Sequence, residues 1–372
     1  MFMIDKTSGE KKIEELQEQY SKTKYNKATN KYLGQLRAKI AKIRREIESH
    51  SRRSGTGYSV RKSGNATVVL VGFPNAGKSS LLRVLTGVQS KVADYAFTTL
   101  DVIPGMLEYN GAKIQVLDLP GLIQGAHIGR GGSLKIISVI RIADLMLFVI
   151  DINAHQQVYQ LVDELGMLNI RVNQERPKIR LERTAAGGVH IEGNGHRIPG
   201  RDVILSVLNE FKIFNGDLVF YQDTTDQMLI DFVADNCVYI RGVVALNKID
   251  TADSRKIEAL KNEIEAKTGM RVIPISAKMA DNIDDVKKKV FDGLGLIRVY
   301  LKPKDGSPDF GKPLVLDGGA SIIEVVRKIN TKLVKSIKYA YVSGPSSKFA
   351  NQRVGEDHKV MDGDVVTVVF DF

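Results

Sequence analysis

Among its 372 residues the chain has a single cysteine and no tryptophan. A lone Cys237 cannot close an internal disulfide, which excludes a disulfide-stapled scaffold and fits a reducing, cytoplasmic location. Nowhere do about 18 uncharged apolar residues follow one another. The longest apolar run, 145–150 (LMLFVI), has the length of a buried strand, so no membrane partner is expected. The opening residues MFMIDKTSGEKK lack the apolar core of a secretory signal. Prolines number only 10, and the 33 glycines show no collagen period. A hydrophobic share of 43% is too high for a wholly disordered chain. The length suits about two to four domains.

Positive charge, by contrast, is plentiful. The formal net charge is +11, and residues 1–62 hold sixteen Lys/Arg against seven Asp/Glu. Such a surplus points to anionic partners without choosing among nucleic acid, phosphates and acidic surfaces. Leu33, Leu36, Ile40, Ile43 and Ile47 recur at 3,4,3,4 spacing, which predicts a helix with one apolar stripe. Its other faces carry Arg37, Lys39, Lys42, Arg44 and Arg45. Ile13, Leu16 and Tyr20 predict a shorter partner helix. Such a pair is too small to stand alone and must pack on something else. Its cations read either as a solvated face or as an RNA-facing one. Residues 49–65, rich in Gly, Ser and Arg, predict a linker.

The chemistry begins at residues 67–71 (TVVLV), a predicted strand that runs into Gly72, Phe73, Pro74, Asn75, Ala76, Gly77, Lys78 and Ser79. A helix is predicted from Ser80 to residue 85. GxxxxGKS between a strand and a helix is the phosphate-wrapping context. Glycines let the backbone close around phosphate oxygens, and N–H groups and a helix N-terminus then face the anion. Lys78 is expected at the β and γ phosphates and the Ser79 hydroxyl on Mg²⁺. A second predicted strand, 113–117, ends in Asp118-Leu119-Pro120-Gly121. A carboxylate at that tip can hold Mg²⁺ through a water, and the Gly121 N–H can approach the γ phosphate. Between the two motifs, Thr99 in Phe97-Thr98-Thr99-Leu100 reads either as a second Mg²⁺ ligand or as the mere start of a strand.

A third strand, 243–246, leads into Asn247, Lys248, Ile249 and Asp250. A carboxylate at Asp250 can accept from the N1–H and the exocyclic amine of guanine together. Adenine has no such donor pair, and leaving the carboxylate unpaired costs about 10⁴-fold in discrimination. Asn247 is expected at the other ring edge, with the Lys248 stem over the ring face. Ser276, Ala277 and Lys278, after a strand at 272–275, offer a backbone N–H to the guanine oxygen. Five elements in working order therefore read as a GTP/GDP site.

The runs GFPNAGKSS, YAFTTLD and DLPGLIQGA and the NKID/SAK pair resemble, motif by motif, the Obg-like branch of the translation-factor-related GTPases. In its order of segments the whole chain is most similar to the developmentally regulated GTP-binding protein (DRG) family. Bacterial Obg proteins carry a large glycine-rich N-terminal domain that residues 1–62 cannot supply. The resemblance implies an α/β fold: a P-loop G domain with a mostly parallel sheet, an α+β insert, a basic helical N-terminal hairpin and a C-terminal β-grasp (TGS) domain. The expected boundaries are 1–62 for the hairpin, 65–169 and 238–296 for the two parts of the G domain, 170–237 for a ribosomal-protein-like insert, and 297–372 for the TGS domain.

That resemblance also implies GTP hydrolysis to GDP and phosphate, in a switch acting on ribosomes, RNA or another translation complex, with a dedicated protein partner in eukaryotic relatives. Ras-like enzymes orient the attacking water with a glutamine after the DxxG glycine. Here Leu122 stands there, so slow intrinsic turnover is expected. In related potassium-dependent GTPases an asparagine matching Asn75 helps hold K⁺ beside the β and γ phosphates. The implied catalytic set is then Lys78, Asn75, Thr99 and Gly121; the other reading of Asn75 is a turn cap. A different class remains open, a nucleotide-gated adaptor with negligible hydrolysis. Residues 121–132, with five glycines, read as a switch loop ordered around the γ phosphate, and His127 and Arg130 are given no chemical role.

In the insert, Ile179 and Leu181, then Val189 and Ile191, alternate around Ala185-Ala186-Gly187-Gly188, which predicts a β-hairpin. Helices are expected at 201–211 and 225–234, with scaffolding or docking as the default role. Toward the C-terminus, strands at 297–301, 339–342 and 365–370 surround a helix at 321–333 with Ile322, Val325, Val326 and Ile329 on one face. This pattern predicts a β-grasp layer. Lys348, Arg353, His358 and Lys359 read either as RNA contacts or as solvated loop cations.

Overall fold

The computed structural model describes residues 6–24, 29–53, 62–87, 103–118, 139–303 and 306–371. The chain opens with α1 (Lys6–Lys22) and α2 (Asn30–Arg53), then β1 (Ala66–Val71), α3 (Lys78–Thr86), β2 (Ile103–Tyr109), β3 (Ala112–Asp118), β4 (Leu145–Asp151), α4 (Gln157–Met167) and β5 (Ile170–Val172). Next come β6 (Ile179–Glu182), β7 (Val189–Glu192), α5 (Arg201–Glu210), β8 (Gly216–Phe220) and α6 (Asp226–Ala234). They are followed by β9 (Val238–Asn247), α7 (Ser254–Thr268), β10 (Arg271–Pro274) and α8 (Ile283–Leu294). The last unit holds β11 (Leu296–Leu301), β12 (Leu314–Asp317), α9 (Ile322–Ile329), β13 (Ile337–Ser343), β14 (Gln352–Val354) and β15 (Val365–Phe370). No described helix is long and apolar enough to cross a membrane.

A seven-stranded sheet carries the nucleotide motifs, in the order β10-β9-β4-β1-β3-β2 with β5 also on β9. Only β2 runs antiparallel to its neighbour. Successive residues of β1 and β4 turn to opposite faces, and both faces are covered. Val69, Val71, Phe148 and Ile150 pack with Leu161, Leu165 and Ile264 of α4 and α7. Val68, Leu70, Leu147 and Val149 pack with Leu81, Leu85, Val286 and Val290 of α3 and α8. Double coverage explains why these strands read as unbroken apolar runs. Parallel pairing brings the loops after β1, β3, β9 and β10 to one edge, where such sheets bind ligands. β5 belongs to this sheet although it begins the stretch expected as the insert.

The small sheet corrects the expected hairpin. β8 lies between β6 and β7, antiparallel to the first and parallel to the second. Leu218 and Phe220 of β8 are fully buried, whereas β6 alternates half-buried and exposed residues and β7 buries only Val189. The more apolar strand takes the centre, and residues 183–188 only connect the two edges.

Helix α2 also departs from its reading. It continues through residues 49–53, where no glycine or proline interrupts it before Gly55. Leu33, Leu36, Ala38, Ile40, Ala41, Ile43 and Ile47 are all buried, and Ala38 and Ala41 share one core with Val203, Val207 and Ile230 of α5 and α6. Four of the five expected cations face protein. Lys42 Nζ donates to the Glu210 carbonyl at 2.7 Å, Arg44 to Asn169 Oδ1 at 3.1 Å and Arg45 to the Val233 carbonyl at 3.4 Å, while Arg37 lies 3.8 Å from Asp226. Removing residues 1–62 would therefore strip a core rather than a surface.

The C-terminal sheet has the order β12-β11-β15-β13-β14. Ile322, Val325 and Val326 of α9 pack against Val299, Ala340, Val342 and Val366. A capping box between Ser321 and Glu324 starts this helix. It ends at Ile329, short of the expected 333, because Asn330 turns to φ −160°; Ile329 is then 46% exposed rather than buried.

Candidate nucleotide-binding site

The phosphate loop leaves β1 at Gly72, where a side chain is excluded by the Val149 carbonyl, 2.3 Å from a notional Cβ. Gly77, at φ +99°, has Asn247 Nδ2 only 2.2 Å from the corresponding point. Both glycines are dictated by close approach as well as by phosphate access. Asn75 holds a left-handed φ of +62°, which asparagine tolerates better than most residues. Its side chain is exposed and makes no hydrogen bond among the described residues, so it caps no turn there. Pro74 is exposed, Phe73 packs partly on the core, and Ala76 is buried.

Lys78, only 9% exposed, donates from Nζ to the carbonyls of Gly72 at 2.8 Å and Phe73 at 3.0 Å. Burial pushes its ammonium below the usual lysine range, and the Asp118 charge opposes that shift. Ser79 Oγ donates to Asp118 Oδ2 at 2.8 Å, which joins the two residues expected around Mg²⁺. Asp118 is 1% exposed and its Oδ1 has no hydrogen-bond partner among the described residues. A hydroxyl and a buried carboxylate with an unpartnered oxygen form a hard-oxygen donor set that suits Mg²⁺. Bound there, the ion would offset charge on the β and γ phosphates. Ser80 stands exposed on the first turn of α3. Thr99 and Gly121, with Leu122, His127 and Arg130, lie outside the described residues.

At the other end, Asn247 is 2% exposed and ties two loops together. Its Nδ2 donates to the Ala76 carbonyl at 2.8 Å, and its Oδ1 accepts from the Ala277 N–H at 2.9 Å. One amide N–H is left for the ring edge. Of the N–H groups that the 276–278 turn offers to the guanine oxygen, the one of Ala277 is engaged by Asn247 here. Asp250 Oδ1 accepts from Ser276 Oγ at 2.6 Å, and that hydroxyl accepts from the Met279 N–H at 3.2 Å. These bonds aim the carboxylate that is expected to read the base. Lys278 follows in the same turn.

Lys248, at φ +67°, reaches Asp151 Oδ2 with Nζ at 2.7 Å. Burial alone would raise the Asp151 carboxyl, but hydrogen bonds from Lys248 and Asn153 outweigh it and hold the group below its usual value. Asn153 Nδ2 in turn donates to Thr251 Oγ1 at 3.0 Å. Asp151 and Asn153 escaped the motif reading. The signal was an acidic residue closing the apolar run 145–150, beside Asn247 in the β4–β9 register. The arrangement can grip a triphosphate and its metal at one end and orient a purine-reading carboxylate about one loop away.

The family described as 50S ribosome-binding GTPase matches residues 67–182, the C-terminal region of that domain matches 186–296, and the TGS domain matches 297–370. An uncharacterized GTP-binding protein of Methanocaldococcus jannaschii is 42% identical over 97% of this chain and 92% of its own length. Developmentally-regulated GTP-binding protein 1 of Xenopus laevis is 39% identical over 96% and 98%, and the developmentally-regulated GTP-binding protein 2 homolog of Dictyostelium discoideum is equally similar. Among solved structures, the G domain of the T. maritima FeoB iron transporter aligns with 21% identity and a TM-score of 0.34, covering 61% of this chain and 97% of that one. So distant a likeness adds no argument.

Proposed function

The chain belongs to the developmentally regulated GTP-binding protein family, and from that premise we propose that it hydrolyses GTP to GDP and phosphate as a switch on ribosomes or translation complexes. The observation that carries the reading is the Asn247 clamp. One buried side chain bonds the phosphate loop at Ala76 and the base-reading turn at Ala277, so both halves of a guanine-nucleotide site form one unit.

In this reading Lys78 holds the β and γ phosphates, Ser79 ligates Mg²⁺ directly and Asp118 does so through water. The exposed Asn75 side chain binds K⁺. Thr99 and the Gly121 N–H complete the γ-phosphate side. Asp250, Asn247, Lys248 and the 276–278 turn select guanine. The hairpin 1–62, the insert after β5 and the TGS unit 297–372 hold the partner, in a cytoplasmic setting. The ribosome-binding description of the matched family supports that partner. Leu122 favours the adaptor reading, since it cannot orient water. Single-turnover GTP hydrolysis in K⁺, with and without ribosomes, separates the two. Slow hydrolysis accelerated by ribosomes is expected; no phosphate release in either mixture would leave the adaptor.

A further inference from the structure

The C-terminal sheet buries one face and turns the other outward. On β13, Ala340 and Val342 enter the core with Val299, Val354 and Val366, so period-two alternation sends Tyr339 and Tyr341 to the opposite face. Register sets Arg353 of β14 against Tyr341, and Thr367 and Val369 of β15 against Tyr341 and Tyr339. The two rings meet edge to face at 5.4 Å, and the Arg353 guanidinium lies 3.9 Å from the Tyr339 ring centroid. No carboxylate occupies an outward position beside them on these three strands. In the β13–β14 turn Phe349 is 64% exposed and neighbours Lys348.

The four cations of this unit, read either as RNA contacts or as solvated, now divide. His358 Nε2 shares a hydrogen bond with Ser346 Oγ at 2.9 Å, and Lys359 lies 4.0 Å from Glu324. Arg353 and Lys348 make no ion pair among the described residues. A sheet face with adjacent rings and a guanidinium over one of them matches the chemistry of unpaired nucleotides. Bases stack on aromatic faces and the cation meets the phosphodiester. A protein partner would be served by the rings equally well, but Asp371, just beyond β15, is paired with Lys338, and the cations Arg353 and Lys348 favour a polyanion.

We propose that the outward face of β13, β14 and β15 binds single-stranded RNA, with bases stacked on Tyr339 and Tyr341 and Arg353 contacting both a ring and the backbone. The proposal rests on the RNA-associated reading above and supplies its surface. Binding of a labelled single strand of about 12 nucleotides to the full chain, followed by fluorescence anisotropy, tests it. Duplex RNA of the same sequence should bind more weakly, because its bases are already stacked. Tyr341→Ala should lose about tenfold and Tyr339→Ala/Tyr341→Ala more, while Tyr341→Phe keeps the affinity. Melting temperature and GTP affinity should not move. Undiminished binding in the double variant, or equal affinity for duplex, overturns the stacking face. Co-sedimentation with ribosomes by a chain that binds no free strand also overturns it, yet spares the translation reading. Absence of both kinds of binding sinks the two together.

Discussion

The two ends of the nucleotide site are built differently. At the base end Asp250 is held by Ser276, Lys248 by Asp151, and Asn247 by backbone on either side. Among the described residues, at the phosphate end, Asp118 keeps a buried oxygen without a partner and Asn75 exposes an amide that makes no hydrogen bond, while Lys78 is an ammonium whose burial opposes its charge. The first arrangement is pre-ordered by its own residues and needs little rearrangement to receive a ring. The second concentrates charge and hydrogen-bonding capacity that, in the proposed function, phosphates and a cation would complete. Damage at the base end should therefore change which nucleotide binds, and damage at the phosphate end how tightly any nucleotide binds.

The largest expected effect tests the first half of that contrast. Asp250→Asn should reduce the preference for GTP over ATP by up to about 10⁴-fold. The Ser276 hydroxyl can still donate to the asparagine carbonyl, so melting temperature should hold. Competition titrations with both nucleotides measure this, and an intact preference would mean that another group reads the base. Lys78→Ala comes next. Losing one partner of a desolvated charge pair costs about 2–5 kcal/mol, so GTP and ATP should weaken alike by roughly thirtyfold or more. Thermal stability should change little, since relief of a buried charge offsets the donor lost to the Gly72 and Phe73 carbonyls; retained GTP affinity would overturn the loop assignment. Asn247→Ala should cross the divide. It leaves the Ala76 carbonyl and the Ala277 N–H without their partner, a loss of about 1–3 kcal/mol in stability, visible as a lower melting temperature. Binding and selectivity should then decline together, and a pure selectivity defect would show that the clamp is not shared.

Legibility in the sequence follows the same line between local and long-range causes. Gly72, Gly77, Lys78 and Ser79 could be read because a loop that wraps phosphate constrains consecutive residues. The apolar stripe of α2 was legible as well, from helical spacing. What the stripe touches was not, because Lys42 and Glu210 are 168 positions apart and Arg45 and Val233 are 188. Asp151 meets Lys248 only through the register of β4 on β9. The insertion of β8 between β6 and β7 depended on competition among three strands for one buried position. The bidentate pair Arg171–Asp231, at 2.7 and 2.8 Å, likewise joins β5 to α6 across 60 positions and had no motif to announce it.

The smallest effect concerns the least anchored residue of the phosphate end. Asn75 has its backbone fixed in the left-handed region and its amide exposed, so substitution there should leave the fold and the GTP affinity nearly unchanged. Its side-chain oxygen offers a neutral ligand that a monovalent cation can share with phosphate oxygens. Such a cation supplies positive charge where negative charge develops during transfer, the role an arginine finger has elsewhere. Replacing Na⁺ by K⁺ should then raise kcat several-fold in the native chain and have no such effect in Asn75→Ala. Equal rates in the two salts for the native chain would remove the cation from the phosphate end. A K⁺ response that survives in Asn75→Ala would keep the cation and assign its ligands to other residues. Either result sharpens the contrast, because a rate that moves while affinity stays constant marks a group that acts on developing charge rather than on binding.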